Sequence, residues 1–395
     1  MLMRIAGVVL TMLAVVRPAG VAAAATEPGF APISAERVLG QASPDKPEAF
    51  QFLRGDAKGR LYLLRGDTLA VDQLQPSGKL TPATKPPAEP ASDDSVITDA
   101  ALSPDGDQWL LLIGHERLAV LKEEKLRALP APVWVVSALV FTVDGPAIAV
   151  LPVQETSGED ATTPPARASF DKPPLLLGFD EQKGQWQTLV PGKVFRRSES
   201  RVPLPLEIRA ERASIVTTGA KGSLWLAQQD AYALRQFSRA GKIEASLAVS
   251  GGSVQWKDRT EDDWKRLETS AASSHMKVQR SQLGSLQATR VVRALTVEGS
   301  RVYLVVETPA GLALDRWDAV TQVLDRVRLA NITASPSRLS VAAAHDGLYL
   351  AGGHLGEPVW RLDWQRLEEA KWKPVPNAVA EGAAAAGRHA SAGGS

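Results

Sequence analysis

The stretch VITDAALSPDGDQWLLLIGHERLAVLKEEKLRAL, from Val96 to Leu129, contains four short apolar segments separated by three polar turns. An Asp-Gly turn follows Pro104, a Gly-His-Glu loop spans 114–116, and a Lys-Glu-Glu-Lys turn precedes the last segment. Short apolar runs bounded by such turns are typical of antiparallel strands joined as hairpins. This stretch therefore predicts a sheet of four consecutive strands.

The first turn of this stretch recurs along the chain, each time between two short apolar segments. The six turns contain Gly59, Gly106, Gly145, Gly222, Gly299 and Gly347. An internal period of about 40 to 50 residues is the signature of propeller blades. The sequence therefore predicts an all-β fold, a six-bladed β-propeller of four-stranded blades with loop and short-helix insertions.

Large side chains recur at two places within the repeated units. The second strand carries Tyr62, Trp109, Ile148, Trp225, Tyr303 and Tyr349. The third strand ends near Leu74, Phe179, Phe237, Trp317 and Trp364. One large apolar side chain per blade at a similar depth suits the face-to-face contact between neighbouring blades.

We expect residues 26–377 to form the propeller, with insertions at about 154–174, 193–212 and 251–287. These insertions lengthen two of the intervals between turns, and a seventh, degenerate blade within one of them is the alternative. In the last insertion, the capping-box pattern that begins at Thr260 predicts a short helix from about Glu261 to Ser270.

The two ends of the propeller have different predicted roles. The segment from Ile33 to Gly40 precedes the first blade, and we expect it to add a strand to the last blade, because an open ring would expose unpaired strand edges. Residues 378–395 have little apolar bulk and are predicted to be a disordered tail.

The N-terminal residues 1–25 have the pattern of a signal peptide. Arg4 precedes an apolar run too short to span a bilayer, and small residues lead to a cleavage site before Thr26. We therefore predict export to the periplasm or the extracellular space, with no membrane span after cleavage. An uncleaved anchor is the alternative.

Composition excludes several classes of function. The chain has no cysteine, which excludes disulfides and a thiol nucleophile. Its 45 Lys and Arg residues nearly balance 44 Asp and Glu residues, so no strong positive field is present to bind nucleic acid. No Gly-x-Ser-x-Gly motif is found, and the sequence designates no catalytic residue.

From Ala31 to about Val375, the chain resembles the six-bladed propellers of the NHL-repeat and gluconolactonase-like superfamily. The resemblance rests on the Asp-Gly-x-aromatic turns and the apolar-x-Phe-Asp-x-x-x-Gly third strands. For gluconolactonase-like enzymes it implies a divalent metal in the channel, held by an early Glu-Gly-Pro motif with Asn and Asp from later blades. Here the nearest Glu-Pro pair, Glu357 and Pro358, is in the last unit, and the only asparagines are Asn331 and Asn377. The sequence therefore predicts no metal or other cofactor, although a divalent cation stays an open alternative.

The polar loops that precede the first strands or join the second and third strands should lie on one face of the disc, around the channel mouth. Fold alone does not define a function, so this rim is the candidate ligand or partner site. Its predicted residues are Arg65, Asp67, Asp99, His115, Glu116, Gln228, Asp230, Arg293, Glu307, His354 and Glu357.

The sequence favours an exported, non-catalytic propeller that acts as a protein- or glycan-binding or scaffolding module. One alternative on the same fold is a metal-dependent lactonase- or esterase-type hydrolase, or a lyase. Another is a stabilising domain with no ligand of its own.

Overall fold

Six small antiparallel sheets follow one another along the chain and form the blades of a β-propeller. This is a computed structural model. It describes residues 29–40, 46–84, 97–114, 117–132, 135–151, 174–192, 215–219, 222–228, 232–249, 256–258, 261, 264, 286–288, 292–308, 311–332, 339–376 and 378–382. The predicted signal peptide and the insertion at 193–212 lie outside these residues.

Each blade starts at its innermost strand and proceeds outward. The N-terminal segment and the first three blades contain β1 Pro32–Ile33, β2 Glu36–Leu39, β3 Lys46–Gly55, β4 Leu61–Arg65, β5 Val71–Leu74, β6 Leu80–Thr84, β7 Ile97–Leu102, β8 Gln108–Ile113, β9 Arg117–Lys122, β10 Lys125–Leu129, β11 Val135–Thr142, β12 Gly145–Leu151, β13 Pro174–Asp180 and β14 Gln185–Pro191.

The fourth to sixth blades and the C-terminal segment complete the structure. They contain β15 Ile215–Thr218, β16 Leu224–Gln228, β17 Ala233–Phe237, β18 Ile243–Val249, β19 Trp256–Asp258, β20 Leu286–Ala288, β21 Val292–Glu298, β22 Arg301–Thr308, β23 Gly311–Asp318, β24 Val323–Leu329, β25 Leu339–Ala344, β26 Gly347–Gly352, β27 His354–Leu355, β28 Val359–Asp363, α1 Trp364–Glu369, β29 Lys373–Pro374 and β30 Ala378–Gly382.

The inner strands form a closed ring. Each of β3, β7, β11, β15, β21 and β25 contacts the inner strands of the two neighbouring blades, and β25 of the last blade contacts β3 of the first. The apolar core is divided into six clusters, each shared by two adjacent blades. Blade-to-blade packing is therefore the main source of hydrophobic stabilisation, and the predicted six-bladed fold is confirmed.

The large side chains predicted in the second strands lie at these interfaces, where all six are buried. Trp225 of the fourth blade meets the fully buried Trp317 of the fifth edge to face, with ring centroids 5.5 Å apart. Such aromatic pairs contribute beyond their buried area. The recurrence of one large side chain per second strand is thus explained by contacts between blades.

Glycine is favoured at the six turn positions for two different physical reasons. Gly59, Gly106, Gly145, Gly222 and Gly299 have positive φ angles, which favour glycine. Gly347 does not share this conformation, but a Cβ atom there would lie 2.5 Å from the carbonyl oxygen of Leu362. Close approach of the neighbouring strand therefore requires glycine in the last blade.

The predicted third-strand position of Trp364 is wrong. In the last blade β28 ends at Asp363, whose side chain accepts a hydrogen bond from the Arg366 amide and caps α1. Trp364 is the first residue of this helix, and its indole donates to the carbonyl of Ala344. The residue that pairs across the sheet at the predicted place is Leu362. A helix cap thus ended the strand two residues earlier than the repeat pattern indicated.

The N-terminal segment closes the ring, as predicted. β2 pairs with β28 in antiparallel register and supplies the outer strand of the last blade. Arg361 in β28 donates to Glu36 at 2.6 Å and to Asp346 at 3.1 Å. The side-chain amide of Asn331 exchanges two hydrogen bonds with the backbone of Ala35. The same segment also pairs with the fifth blade, because β1 lies parallel to β24.

The prediction of a disordered tail is wrong for its first five residues. Ala378–Gly382 form β30, which pairs with β18 and adds a fifth strand to the fourth blade. Small residues suffice there because strand pairing uses backbone groups, and β18 offered a free edge. Residues 383–395 lie outside the described residues.

The insertions at 154–174 and 251–287 are only partly described. Residues 152–173 connect the second and third strands of the third blade and lie outside the described residues. The last insertion contains a two-stranded sheet of β19 and β20. Glu261 and Trp264 are helical, as predicted, and Trp264 is buried. The other residues of that predicted helix lie outside the described residues.

Candidate channel-mouth site

Polar residues interrupt the regular pairing where three inner strands begin. The register between first and second strands shifts at Thr98 in β7, at Ser137 in β11 and at Arg293 in β21. A bulge of this kind leaves one residue out of the ladder and re-aims its side chain. The mouth of the channel at this end is therefore built by recurring polar bulges above an apolar core.

A chain of hydrogen bonds joins the inner strands of four blades. Arg54 of the first blade donates through Nη1 to Ser340 Oγ of the last blade, at 3.1 Å, and its Nη2 lies 3.4 Å from Asp99 Oδ1 of the second blade. Asp99 Oδ2 in turn accepts from the backbone amide of Leu139 in the third blade, at 3.1 Å. This set, Ser340, Arg54, Asp99 and Leu139, is called the channel network below.

The Arg54 side chain points towards the mouth. Arg54 pairs with Tyr62, and the equivalent residue of the second blade, Leu102, pairs with Trp109. Asp99 lies three residues before Leu102, nearer the start of its strand. A guanidinium that reaches Asp99 must therefore extend along the channel towards the end where the inner strands begin.

The Arg54 side chain is partly accessible to solvent, since 28 % of its surface stays exposed. Burial lowers its pKa, and the Asp99 carboxylate offsets that effect only in part. At 3.4 Å the contact with Asp99 is longer than a normal charge-assisted hydrogen bond of about 2.7 to 2.9 Å. Asp99 is therefore a comparatively distant anionic partner of this cation.

Arg293 and Glu307 form the second charged pair at the mouth. Arg293 Nη2 donates to Glu307 Oε2 across the first two strands of the fifth blade. Both side chains are largely buried, with 12 % and 21 % of their surfaces accessible. The structure thus brings these two predicted rim residues together in a pair whose charges compensate each other.

The loop of the last blade crosses to the first blade. β27 pairs with the channel-side edge of β3, which places His354 opposite Phe50, with their rings 5.2 Å apart. Glu357 accepts from the His354 amide, and the buried Gln51 donates to the carbonyls of Gly352 and Glu357. His354 and Glu357 therefore lie at the mouth, but their polar contacts fix the loop.

Other predicted rim residues lie in or beside the turns that follow the second strands. Arg65 is exposed and lies 3.7 Å from Asp72 of its own blade, and Asp67 is exposed in the following turn. The backbone of Gln228 pairs with Ala233 at the end of β16. His115, Glu116 and Asp230 lie outside the described residues.

Arg54 was not among the predicted rim residues, because it lies close before the turn that contains Asp56 and Gly59. Asp56 is indeed a turn residue, which accepts from the amides of Lys58 and Arg60. The residue before the turn, however, still belongs to the inner strand. Its place in an inner strand, three residues after Gln51, was the available signal.

Among the described residues, no group of three or more His, Asp or Glu side chains is arranged to hold a metal ion. In the same part of the chain, no helix combines the length and the apolar character that crossing a membrane requires.

The fold and the polar mouth define the chain as a six-bladed β-propeller with a hydrogen-bonded channel entrance. No family model and no curated protein matches its sequence. Among solved structures, it is similar to a streptogramin B lyase, with 11 % identity, a TM-score of 0.43, and coverage of 83 % of this chain and 96 % of the other.

Two further similar structures have comparable values. One is a selenomethionine-substituted virginiamycin B lyase from Staphylococcus aureus, with 10 % identity, a TM-score of 0.44, and coverage of 83 % of this chain and 99 % of the other. The other is a protein of unknown function from Bacteroides thetaiotaomicron, with 12 % identity, a TM-score of 0.45, and coverage of 83 % and 75 %. At such identities the likeness concerns the fold, and the activity of this chain is argued from its own residues.

Proposed function

We propose that this protein is a non-catalytic binding module that holds a protein or glycan ligand at the channel mouth. The observation that carries the proposal is the channel network, which links polar groups of four blades at one end of a closed ring. Rigid support of polar side chains lowers the entropy lost on binding, and a propeller supplies such support.

The partners of the mouth residues favour binding over catalysis. Asp99 accepts from two backbone amides, those of Ala100 and Leu139, and Glu307 is paired with Arg293. A general acid or base is usually a carboxyl or imidazole with a pKa tuned towards neutrality by its surroundings. Carboxylates held by backbone amides and a guanidinium are instead fixed in position, which suits recognition by hydrogen bonds.

Binding at the mouth predicts a selective effect of Glu307→Gln. We expect a ligand found on glycan and peptide arrays to bind this variant about tenfold more weakly, because hydrogen bonds to charged groups contribute about 1.5 to 3 kcal/mol. Affinity is measured by calorimetry with the full chain. The matched control is Glu181→Gln, which removes an exposed carboxylate from a turn between the third and fourth strands of the third blade.

Three outcomes contradict the proposal. These are equal loss of affinity in both variants, loss only in Glu181→Gln, and no ligand on either array. Chemical conversion of a bound ligand, detected by mass spectrometry, supports the alternative of a hydrolase or lyase instead.

The proposed place of action is outside the cytoplasm. The support is the N-terminal sequence, in which Arg4 and an apolar run precede small residues that end at Ala25. We expect the protein recovered from the producing cell to begin at Thr26 when its N-terminus is sequenced. Recovery of a chain that begins at Met1 in the cytoplasm contradicts export.

A further inference from the structure

The geometry points to the chemical class of the ligand, an inference that rests on the proposed function. We propose that the channel mouth binds a carboxylate group of its ligand through the Nε and Nη2 edge of Arg54.

The inner side of the Arg54 guanidinium is occupied. Nη1 donates to the carbonyl of Leu53 at 2.9 Å and to Ser340 Oγ at 3.1 Å. These bonds to neutral acceptors fix the plane of the guanidinium relative to two blades. Side-chain orientation is therefore set before any ligand arrives, which reduces the entropy lost on binding.

The outer edge of the same guanidinium is open. Nη2 has only the long contact of 3.4 Å with Asp99, and Nε makes no hydrogen bond to the described part of the chain. The Nε and Nη2 atoms present two parallel N–H groups, an arrangement that matches the two oxygens of a carboxylate. The accessible 28 % of the side chain gives a ligand a way to this edge.

Asp99 does not compete strongly for this edge because its own position is fixed elsewhere. Its Oδ1 accepts from the amide of Ala100 at 2.8 Å, and its Oδ2 accepts from the amide of Leu139 at 3.1 Å. These two N–H dipoles stabilise its negative charge. A second carboxylate can therefore approach Arg54 without leaving Asp99 unsatisfied.

Charge balance favours a singly charged group over a phosphate. Arg293 is a second arginine of the mouth, and Glu307 already compensates it. The open edge of Arg54 thus offers one cationic charge close to Asp99. With Asp99 counted, a bound carboxylate leaves one negative charge in excess at this place and a doubly charged phosphate leaves two, so the repulsion from Asp99 is smaller for the carboxylate.

The carboxylate has two chemical sources among proteins and glycans, and the probes distinguish them. One is a uronic acid, represented by D-glucuronate with D-glucuronamide as its neutral match. The other is a peptide C-terminus, represented by N-acetyl-Ala-Ala with its C-terminal amide. Ligand-observed NMR with the full chain measures the dissociation constant of each probe.

We expect at least one acid to bind about tenfold or more tightly than its amide, since a hydrogen bond to a charged group has that effect or a larger one. Arg54→Gln should weaken binding of that acid about tenfold and leave the amide unchanged. Arg54→Lys should give an intermediate affinity because it keeps the charge but loses the two parallel donors. The control Arg37→Gln, which changes an exposed arginine of β2, should have no effect.

Equal binding of acid and amide to the unmodified protein overturns the inference, and this comparison does not depend on any variant folding. No detectable binding of either acid, or unchanged binding in a folded Arg54→Gln protein, overturns it as well. These results leave the proposed function standing if an array ligand still depends on Glu307. Loss of that dependence overturns the proposed function itself.

Discussion

At a pH above the pKa that Asp315 has in the folded protein, Asp315→Asn is expected to lower the free energy of unfolding by about 3 to 5 kcal/mol, because it breaks a buried ion pair within the fifth blade. Asp315 is fully buried in β23. Its carboxylate accepts from Arg326 Nε at 2.6 Å and from Arg326 Nη2 at 2.9 Å. Tyr232, which directly precedes β17 of the fourth blade, donates its hydroxyl to the same carboxylate. The variant leaves the guanidinium of Arg326, which is only 11 % accessible, without its anionic partner.

Denaturation in urea measures this loss, and Glu298→Gln in the same blade is the control. Glu298 is exposed at the end of β21, so its replacement should change stability by less than about 0.5 kcal/mol. Equal stability of Asp315→Asn and the unmodified protein contradicts the assigned role of the buried pair.

The same group gives a pH dependence with a defined sign. Burial raises the pKa of Asp315, against the opposite effects of Arg326 and Tyr232. The folded protein therefore holds a proton above about pH 3.9, where the unfolded chain has lost it. The contribution of this carboxyl to stability is full below that pH and is lost as the pH rises through the folded-state pKa.

Tyr232→Phe should enlarge this loss, because it removes a donor to the ionised form and so raises the pKa of Asp315 further. The stability difference between this variant and the unmodified protein should grow from about pH 4 to pH 7, towards about 1.5 to 3 kcal/mol. Parallel pH profiles of the two proteins contradict the assignment.

Removal of residues before position 41 is expected to lower the free energy of unfolding by at least about 3 kcal/mol. The missing segment contains the buried Ile33, whose burial contributes about 1.5 to 3 kcal/mol, and the backbone hydrogen bonds of β2, each worth about 1 kcal/mol. It also contains Glu36, the partner of Arg361. Ring closure therefore depends on a segment distant in sequence from the blade that it completes.

The comparison is between chains that begin at Thr26 and at residue 41, unfolded by heat and by urea. A chain shortened by residues 383–395 is the control, because that deletion leaves every described strand and helix in place. If the chain that begins at residue 41 is as stable as the longer one, the outer strand of the last blade does not close the ring.

The repeated blade was predictable because its determinants are local. Each unit combines a turn such as Asp-Gly, a strand on either side of it and one large residue such as Tyr62 or Trp225. These features lie within about ten residues of one another, and each can be recognised from the sequence alone. Ring closure by Ile33 to Gly40 followed from a general need to cover strand edges. The sequence therefore predicted six blades, with a seventh as the alternative, and the way the ring closes.

The errors arose where long-range contacts override local pattern. Ala378–Gly382 have weak strand propensity, yet they pair with β18 because that edge is available. Trp364 matches the sequence pattern of a third strand, but it follows the helix N-cap at Asp363 and begins the helix.

The candidate site was only half predictable for the same reason. Asp99, Arg293 and Glu307 were named from their places in the repeat, but which of them meet depends on how neighbouring blades are staggered. Arg54 reaches Ser340, whose separation of 286 residues in sequence gives no local sign of contact. Pairing across blades is a property of the closed ring, and no single unit of the sequence contains it.

The most direct test of the channel-mouth site is a crystal structure of the full chain with the tightest-binding carboxylate probe. We predict that both carboxylate oxygens lie about 2.7 to 2.9 Å from Nε and Nη2 of Arg54, while Asp99 keeps its bonds to the amides of Ala100 and Leu139. A probe bound on the opposite face, or at the mouth without contact to the inner strands, contradicts the account.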